Sequence, residues 1–495
     1  MRTTVMRQLL WIGAGLLMAL PLSALQSRTV RASGAATTPK VQFSDQRLTN
    51  GLRVLIVEDH TAPVFSIAVV YDVGSANERP GRTGFAHLFE HMMFKGSANV
   101  GSGEHLLLIF NNGGGMNGTT SQDRTAYFET LPANQLELAL FLEADRMRSL
   151  DITQANLDNQ RNAVQEERRQ GLDNQPYGRT GELFDELAYE NFAYKHSTIG
   201  SMEDLNAATV DDVAGFFKTY YAPNNAAVAI VGDIDTQKTL ARVRHYFEGI
   251  PRQPAPPPID RAEPAQTTER RTSIDDALAR VPRVDIGYHV PPGNTKDHDA
   301  LEVLAMILSS GRSSRFYEAI VRQKQIASGA SAFAPDTRGP GLFRAVGLAL
   351  PGKNIADVEA AMYEEIERVK TGTIEEWEIQ KVRNDARRAF LSQLRSSLGR
   401  SVLLAQYAIF WNDPNKLNTA VDEIAAVTTN DVQRVARQYL LPTNRTVVVT
   451  MPKGRSGAGT EVSEPASAAG SRPTEKPGSR GPEKAGSRPP DKGGL

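Results

Sequence analysis

The chain is 495 residues long, room for roughly two or three ordinary domains, and its 40% hydrophobic and 23% charged content is that of a folded protein. Lys+Arg 56 against Asp+Glu 57 leave a formal charge of -1, so nucleic acid has no electrostatic reason to bind. The absence of cysteine excludes disulfides, thiolate metal sites, iron–sulfur clusters and a cysteine nucleophile, and leaves His, Asp and Glu as the possible metal ligands.

At the N-terminus, Arg2 and Arg7 precede an apolar run from Leu9 to Leu20, followed by Pro21 and small residues. This pattern predicts an export signal over residues 1–36, cleaved between Ser23 and Ala36, with an uncleaved anchor as the alternative. Nothing later supplies the roughly 18 consecutive apolar residues of a membrane helix. The expected location of the mature chain is therefore the periplasm or the exterior, a setting in which a cysteine-free protein is held together by packing.

Next in order, Arg47–Glu58 carries an Asn50-Gly51 turn between apolar alternations, which predicts a hairpin, and Phe65–Asp72 and Thr125–Thr130 alternate as strands. Asn134–Leu150, Asn156–Gln170 and Asp357–Thr371 have helical spacing with charged outer faces. Prolines crowd residues 251–271, a stretch that suits neither helix nor central strand and is read as a linker. Residues 454–495 are Gly, Ser, Pro and mixed charge, which predicts a disordered tail.

The pieces on either side of the linker look like copies. Asp212, Val213, Tyr220, Pro223, Asn225, Val228 and Ile230 match Asp431, Val432, Tyr439, Pro442, Asn444, Val447 and Val449, every pair 219 positions apart. Both sets read as a helix, a proline-terminated turn and a buried strand. The expected architecture is two homologous α+β domains, at 40–250 and 272–453, each large enough for its own core.

The strongest chemical signal is His87-Leu88-Phe89-Glu90-His91. On a helix the two histidines stand one turn apart on one face and can reach one ion, while Glu90 projects beside them as a base. Catalytic zinc ordinarily takes three protein ligands, so a further carboxylate or imidazole is required. Glu166 and Glu167 compete for that role, because adjacent helical positions differ by about 100° and one alone can face the metal. The other six histidines, His60, His105, His196, His245, His289 and His298, have no partner at ligand spacing and read as surface or structural.

Val73-Gly74-Ser75 followed by Gly84-Phe85-Ala86-His87-Leu88-Phe89-Glu90-His91-Met92-Met93-Phe94-Lys95-Gly96 closely resembles the signature of the pitrilysin/insulinase metallopeptidases, whose inverted motif marks the inverzincins. The resemblance runs over residues 40–453 and takes in Gly113–Pro132, Arg161–Glu167 and Ile199-Gly200-Ser201. It implies one zinc ion per chain on His87, His91 and Glu167, with Glu90 activating water. It also implies that the two domains form half of a clamshell chamber. Gly113–Thr120 by itself reads as a flexible glycine loop, and the resemblance turns it into an edge strand on which substrate adds, giving Gly115, Met116, Asn117, Gly118 and Thr119 as substrate-binding residues.

The second half has no zinc motif: 219 positions on from His87, Glu90 and His91 stand Met306, Ser309 and Ser310. Family members often carry an arginine and, seven residues later, a tyrosine there. Arg322 supplies the arginine, but Gly329 stands where the tyrosine would be. In the two-chain, processing-peptidase-like branch a similar subunit supplies that pair, so the resemblance implies a heterodimer, with a homodimer or a role for Tyr317 as alternatives. The function expected is a zinc-dependent endopeptidase cleaving peptides or unfolded segments. The rival from another class is a non-catalytic assembly subunit of the same fold.

Overall fold

A computed structural model describes residues 40–453 of the chain; the predicted export signal and the predicted tail lie outside the described residues. The first sheet has six strands: β1 (Ser44–Arg47), β2 (Arg53–Glu58), β3 (Val64–Tyr71), β4 (Gly115–Thr120), β5 (Thr125–Pro132) and β6 (Ala226–Gly232). Their order across the sheet is β1-β2-β6-β3-β5-β4, antiparallel except for the β2–β6 pair. Gly51, at φ 96°, lets the chain turn tightly between β1 and β2, and the buried Asn50 amide beside it donates to the carbonyls of Phe247 and Ile250.

The second sheet consists of β7 (Arg270–Asp276), β8 (Arg283–Val290), β9 (Ala327–Phe333), β10 (Gly341–Ala349) and β11 (Arg445–Pro452), in the order β7-β11-β8-β10-β9. It repeats β2-β6-β3-β5-β4 position for position, including the parallel pair at β7–β11. Val210–Tyr220 and Thr429–Tyr439 are the paired helices, each opened by a reciprocal cap, Thr209 with Asp212 and Thr428 with Asp431. After each helix an asparagine locks the turn: Asn225 donates to the carbonyls of Tyr220 and Asp72, Asn444 to those of Tyr439 and His289. The chain is thus two copies of one mixed α/β domain. In each copy the last strand, β6 or β11, follows the helices and inserts within the sheet.

Five helices of the first half matter for the site: α1 (Phe85–Met92), α2 (Glu104–Asn111), α3 (Leu136–Ser149), α4 (Gln154–Arg168) and α5 (Gly178–Ala188). One face of the first sheet joins α1 to α4 in the main core through Val54, Ile56, Ile67, Val69, Val228 and Ile230. The opposite face, with Leu55, Val57, Ala68, Val70, Ala229 and Val231, is covered by Leu404, Ala405 and Ala408 of the second half's helix Ser397–Phe410. The exchange is reciprocal, because α5 of the first half lies on the second sheet. Its Phe184 sits so close under Gly287 that a methyl group there would stand 2.5 Å from the ring.

The proline-rich segment contains no helix or strand up to Glu269, and its last two predicted residues, Arg270 and Arg271, already belong to β7. It is pinned down: Arg261 donates to Asp123, which also accepts from the Tyr194 hydroxyl and from the Arg338 backbone, joining linker, first half and second half at one carboxylate.

Candidate metal centre

Helix α1 begins at Gly84, whose φ of 85° turns the chain into the helix and leaves it unable to cap its own first turn. The buried carboxylate of Glu78 does so instead, accepting from the Gly84 and Ala86 backbone at 2.9 and 2.8 Å. His196 closes on the same carboxylate at 2.9 Å through Nε2, with Nδ1 on the Phe192 carbonyl. Phe85, Ala86, Leu88, Phe89 and Met92 fill the core, and Phe89 stacks on Phe217 and Tyr221. The opposite face of α1 is left to His87, Glu90 and His91.

Glu167, in the last turn of α4, brings its Oε2 to 3.2 Å from His91 Nε2 and 3.6 Å from His87 Nε2. Glu166 points elsewhere, to Arg169 and Gln170. Burial, with His91 close by, pushes His87 down to about 4, and burial likewise lowers His91 despite the neighbouring carboxylate. Both imidazoles are therefore neutral at neutral pH, and their Nε2 atoms converge on one carboxylate oxygen. A tetrahedral ion bound at about 2.0–2.1 Å would separate its donors by roughly 3.3 Å, and the observed spacings bracket that value. The donor set, two imidazoles and a carboxylate without sulfur, suits zinc.

Glu90 stands beside this cluster. Burial raises its pKa, opposed by a 2.6 Å hydrogen bond from the Thr120 hydroxyl. Gly118 in β4 leaves room for it: an added methyl group there would lie 2.8 Å from Glu90 Cγ. Two neighbours that sequence reasoning did not single out are Gln160, which hydrogen-bonds His91, and Arg124, which donates to the Thr119 carbonyl and hydroxyl and lies near Glu90. Neither lies at a spacing that marks it.

Strand β4 forms the sheet edge and pairs with β5 alone among the described strands. Gly115 and Asn117 are exposed, Met116 and Thr119 half-buried, and Gly118 is buried against Glu90, so the free edge runs directly past Glu90. Arg322 is not brought to this cluster by any hydrogen bond or ion pair among the described residues; its guanidinium is largely exposed and pairs with Glu318 one turn earlier. Gly329 lies in β9, the edge strand of the second sheet.

A second group of metal-ligating residue types lies deep in the first half, where His105, Glu129 and Glu143 approach one another within 4.8 Å. Arg146 occupies this group, forked onto Glu143 and stacked over Tyr127. A divalent ion beside that guanidinium would leave the buried site with excess positive charge, whereas a protonated Glu129 leaves it neutral, so the cluster reads as structural.

Residues 53–201 match the family model described as Insulinase (Peptidase family M16), and residues 207–385 the model described as Peptidase M16 inactive domain. The zinc protease PqqE of Helicobacter pylori is 31% identical over 436 residues, covering 88% of this chain and 98% of the relative. The crystal structure of a protease from Helicobacter pylori superposes with a TM-score of 0.80 at 31% identity, over 83% of this chain and 100% of that one. The periplasmic protease PqqL of Escherichia coli shares the fold, with a TM-score of 0.70 at 20% identity over 84% of this chain, which accounts for 48% of the PqqL chain.

Proposed function

The chain belongs to the insulinase family, peptidase family M16, and on that premise we propose that it is an exported zinc-dependent endopeptidase cleaving peptides or unfolded protein segments. The observation that carries this reading is the convergence of His87, His91 and Glu167, three potential metal donors, beside the half-buried Glu90. A zinc ion held there supplies Lewis acidity toward water and toward the scissile carbonyl.

The remaining chemistry falls to the side chains. Glu90, with its pKa raised by burial, accepts the proton of the attacking water and passes it to the departing amine. Thr120 holds that carboxylate by its Oε2. The unpaired edge of β4 binds an extended peptide through backbone hydrogen bonds from Gly115 to Thr119, which delivers successive peptide units past Glu90 without demanding a particular sequence.

We further propose that the active unit contains a second, similar chain. The zinc set sits in the first half, the second half matches a model described as inactive, and Gly329 stands where the oxyanion-stabilising tyrosine of the family would be. That this chain accounts for about half of PqqL supports the pairing of two such halves, and we propose Arg322 as a substrate contact in that pair.

The deciding experiment loads the purified chain with zinc, measures the metal-to-protein ratio, and follows cleavage of a quenched peptide with and without chelator, alone and after co-purification from the native source. A ratio near one with chelator-sensitive cleavage supports the reading. Absence of bound zinc would leave a scaffold, and full activity as a monomer would remove the partner.

A further inference from the structure

The segment Ile199-Gly200-Ser201 belongs to no helix or strand and makes no hydrogen bond to the candidate ligands, yet it touches both elements that carry them. Gly200, at φ 77°, is pressed against the start of α1: a methyl group on it would stand 2.4 Å from Gly84 Cα and 2.5 Å from Gly84 N. The reverse also holds, since a methyl group on Gly84 would lie 2.6 Å from the Ile199 carbonyl oxygen. Thr83 fastens the same junction, accepting from the Ser201 backbone at 3.1 Å and donating to Asp204.

On its other side the Gly200 carbonyl accepts a 2.7 Å hydrogen bond from Nη1 of Arg168, the residue after Glu167. Arg168 is held in turn by a fork onto Glu182, at 2.5 and 2.9 Å, and its side chain is only 11% exposed. One turn of backbone therefore bridges the N-cap of α1 and the last residue of α4. Glu167 sits in the last turn of α4, where the helix passes directly into a wider helical turn at Arg169–Asp173 and the hydrogen-bond register changes.

Resting on the metallopeptidase reading above, we infer that Arg168, acting through the Gly200 carbonyl, is a positioning residue that sets the separation between the His87/His91 pair and Glu167. Metal sites tolerate ligand displacements of only about 0.2 Å, so a tether between the two ligand-bearing helices is worth metal affinity even though it never meets the ion. The double glycine contact keeps the α1 end of that tether stiff, because it is backbone against backbone with no side chain to yield.

The test is the zinc dissociation constant of the full chain, read by competition with a chromogenic chelator, for wild type, R168Q, R168K, E182Q and H87A. R168Q is expected to hold zinc about ten- to a hundredfold more weakly than wild type, with an unchanged KM for peptide at saturating zinc. R168K keeps a cation against Glu182 but cannot fork to two partners, and is expected to lose about fivefold; it decides the matter should R168Q fail to fold. E182Q spares the bond to Gly200 and is expected to lose less than either. R168Q and R168K binding zinc as tightly as wild type would overturn the inference, as would E182Q losing as much as R168Q, which would assign the effect to the ion pair. Wild type binding no tighter than H87A would overturn the metal-site reading itself.

Discussion

The Thr120 hydroxyl donates to Oε2 of Glu90 at 2.6 Å, tying the last residue of the edge strand to the acidic side chain beside the two imidazoles. The strand proposed to bind substrate and the group proposed to move the proton are therefore one mechanical unit. A peptide that adds to β4 is placed relative to Glu90 by the fold and not by its own side chains.

Replacing Glu90 by glutamine keeps the shape and a hydrogen-bond acceptor for Thr120 but removes the ability to take a proton. The zinc content should stay at the wild-type level while turnover falls by about 10²–10⁴-fold. Elemental analysis beside a quenched-peptide assay checks both, and a variant cleaving at the wild-type rate would rule Glu90 out as the base.

Gly118 is the position at which β4 presses on Glu90. In Gly118→Ala the new methyl group would meet Glu90 Cγ at 2.8 Å and Oε1 at 3.1 Å, so the carboxylate must swing away from Thr120. A fall in kcat of about tenfold or more is expected, since a small misplacement of a reacting group is costly. Zinc affinity should be untouched, because neither histidine nor Glu167 moves. Equal losses in zinc binding and kcat would show that the strand, and not the base, had been disturbed.

The buried cluster makes a prediction about stability rather than catalysis. Glu129 is 1% exposed with neither oxygen hydrogen-bonded, and burial pushes it up to about 7. A carboxyl raised on folding favours the native state when protonated, so its share of stability is intact below about pH 4.5 and is lost as the pH climbs through 7. His105, pushed down to about 3 by burial, has the opposite slope between its folded and unfolded values, so wild-type melting alone would mask the effect. The difference between Glu129→Gln and wild type isolates the carboxyl: the variant should gain about 2.5 kcal/mol on wild type between pH 5 and pH 8. Urea melts at the two pH values measure it, and a constant difference would mean that Glu129 is ionised throughout.

The candidate site was legible in the sequence where its geometry is local. His87, Glu90 and His91 share a helix face whatever surrounds them, because helical spacing alone dictates it. The choice between Glu166 and Glu167 depended on what lay around the helix, and the pairing of Glu166 with Arg169 and Gln170 is visible only in three dimensions. Gly113–Thr120 has the composition of a loop, and β4 exists because β5 offers it a register from Thr125 to Thr130. Neither the convergence of His105 with Glu129 nor the bond from Arg168 to Gly200 leaves a spacing signature, since each joins elements far apart in the chain. The 219-residue repeat was readable for the same reason that the zinc motif was: its helix, turn and strand are contiguous. The reciprocal helix exchange was not, because a sheet buried on both faces does not announce which half supplies its cover.

That exchange bears on whether the halves can be separated. Leu55, Val57, Ala68, Val70, Ala229 and Val231 form an apolar face whose cover, Leu404, Ala405 and Ala408, comes from the second half, and Arg400 of the same helix pairs with Asp59. A chain ending at residue 250 would expose this face to water, a large contiguous apolar patch of the kind that drives aggregation. Residues 40–250 expressed alone should therefore be insoluble or molten, although they contain every proposed metal ligand. In the full chain, Leu404→Ala removes a fully buried side chain from this seam and should cost about 2–5 kcal/mol. The loss should appear as a shift of a single unfolding transition, because each half covers the other's sheet. Calorimetry of the full chain and circular dichroism of the fragment test the two statements together. A soluble fragment with its own sharp melt, or a full chain melting in two steps, would show that each half closes its sheet unaided.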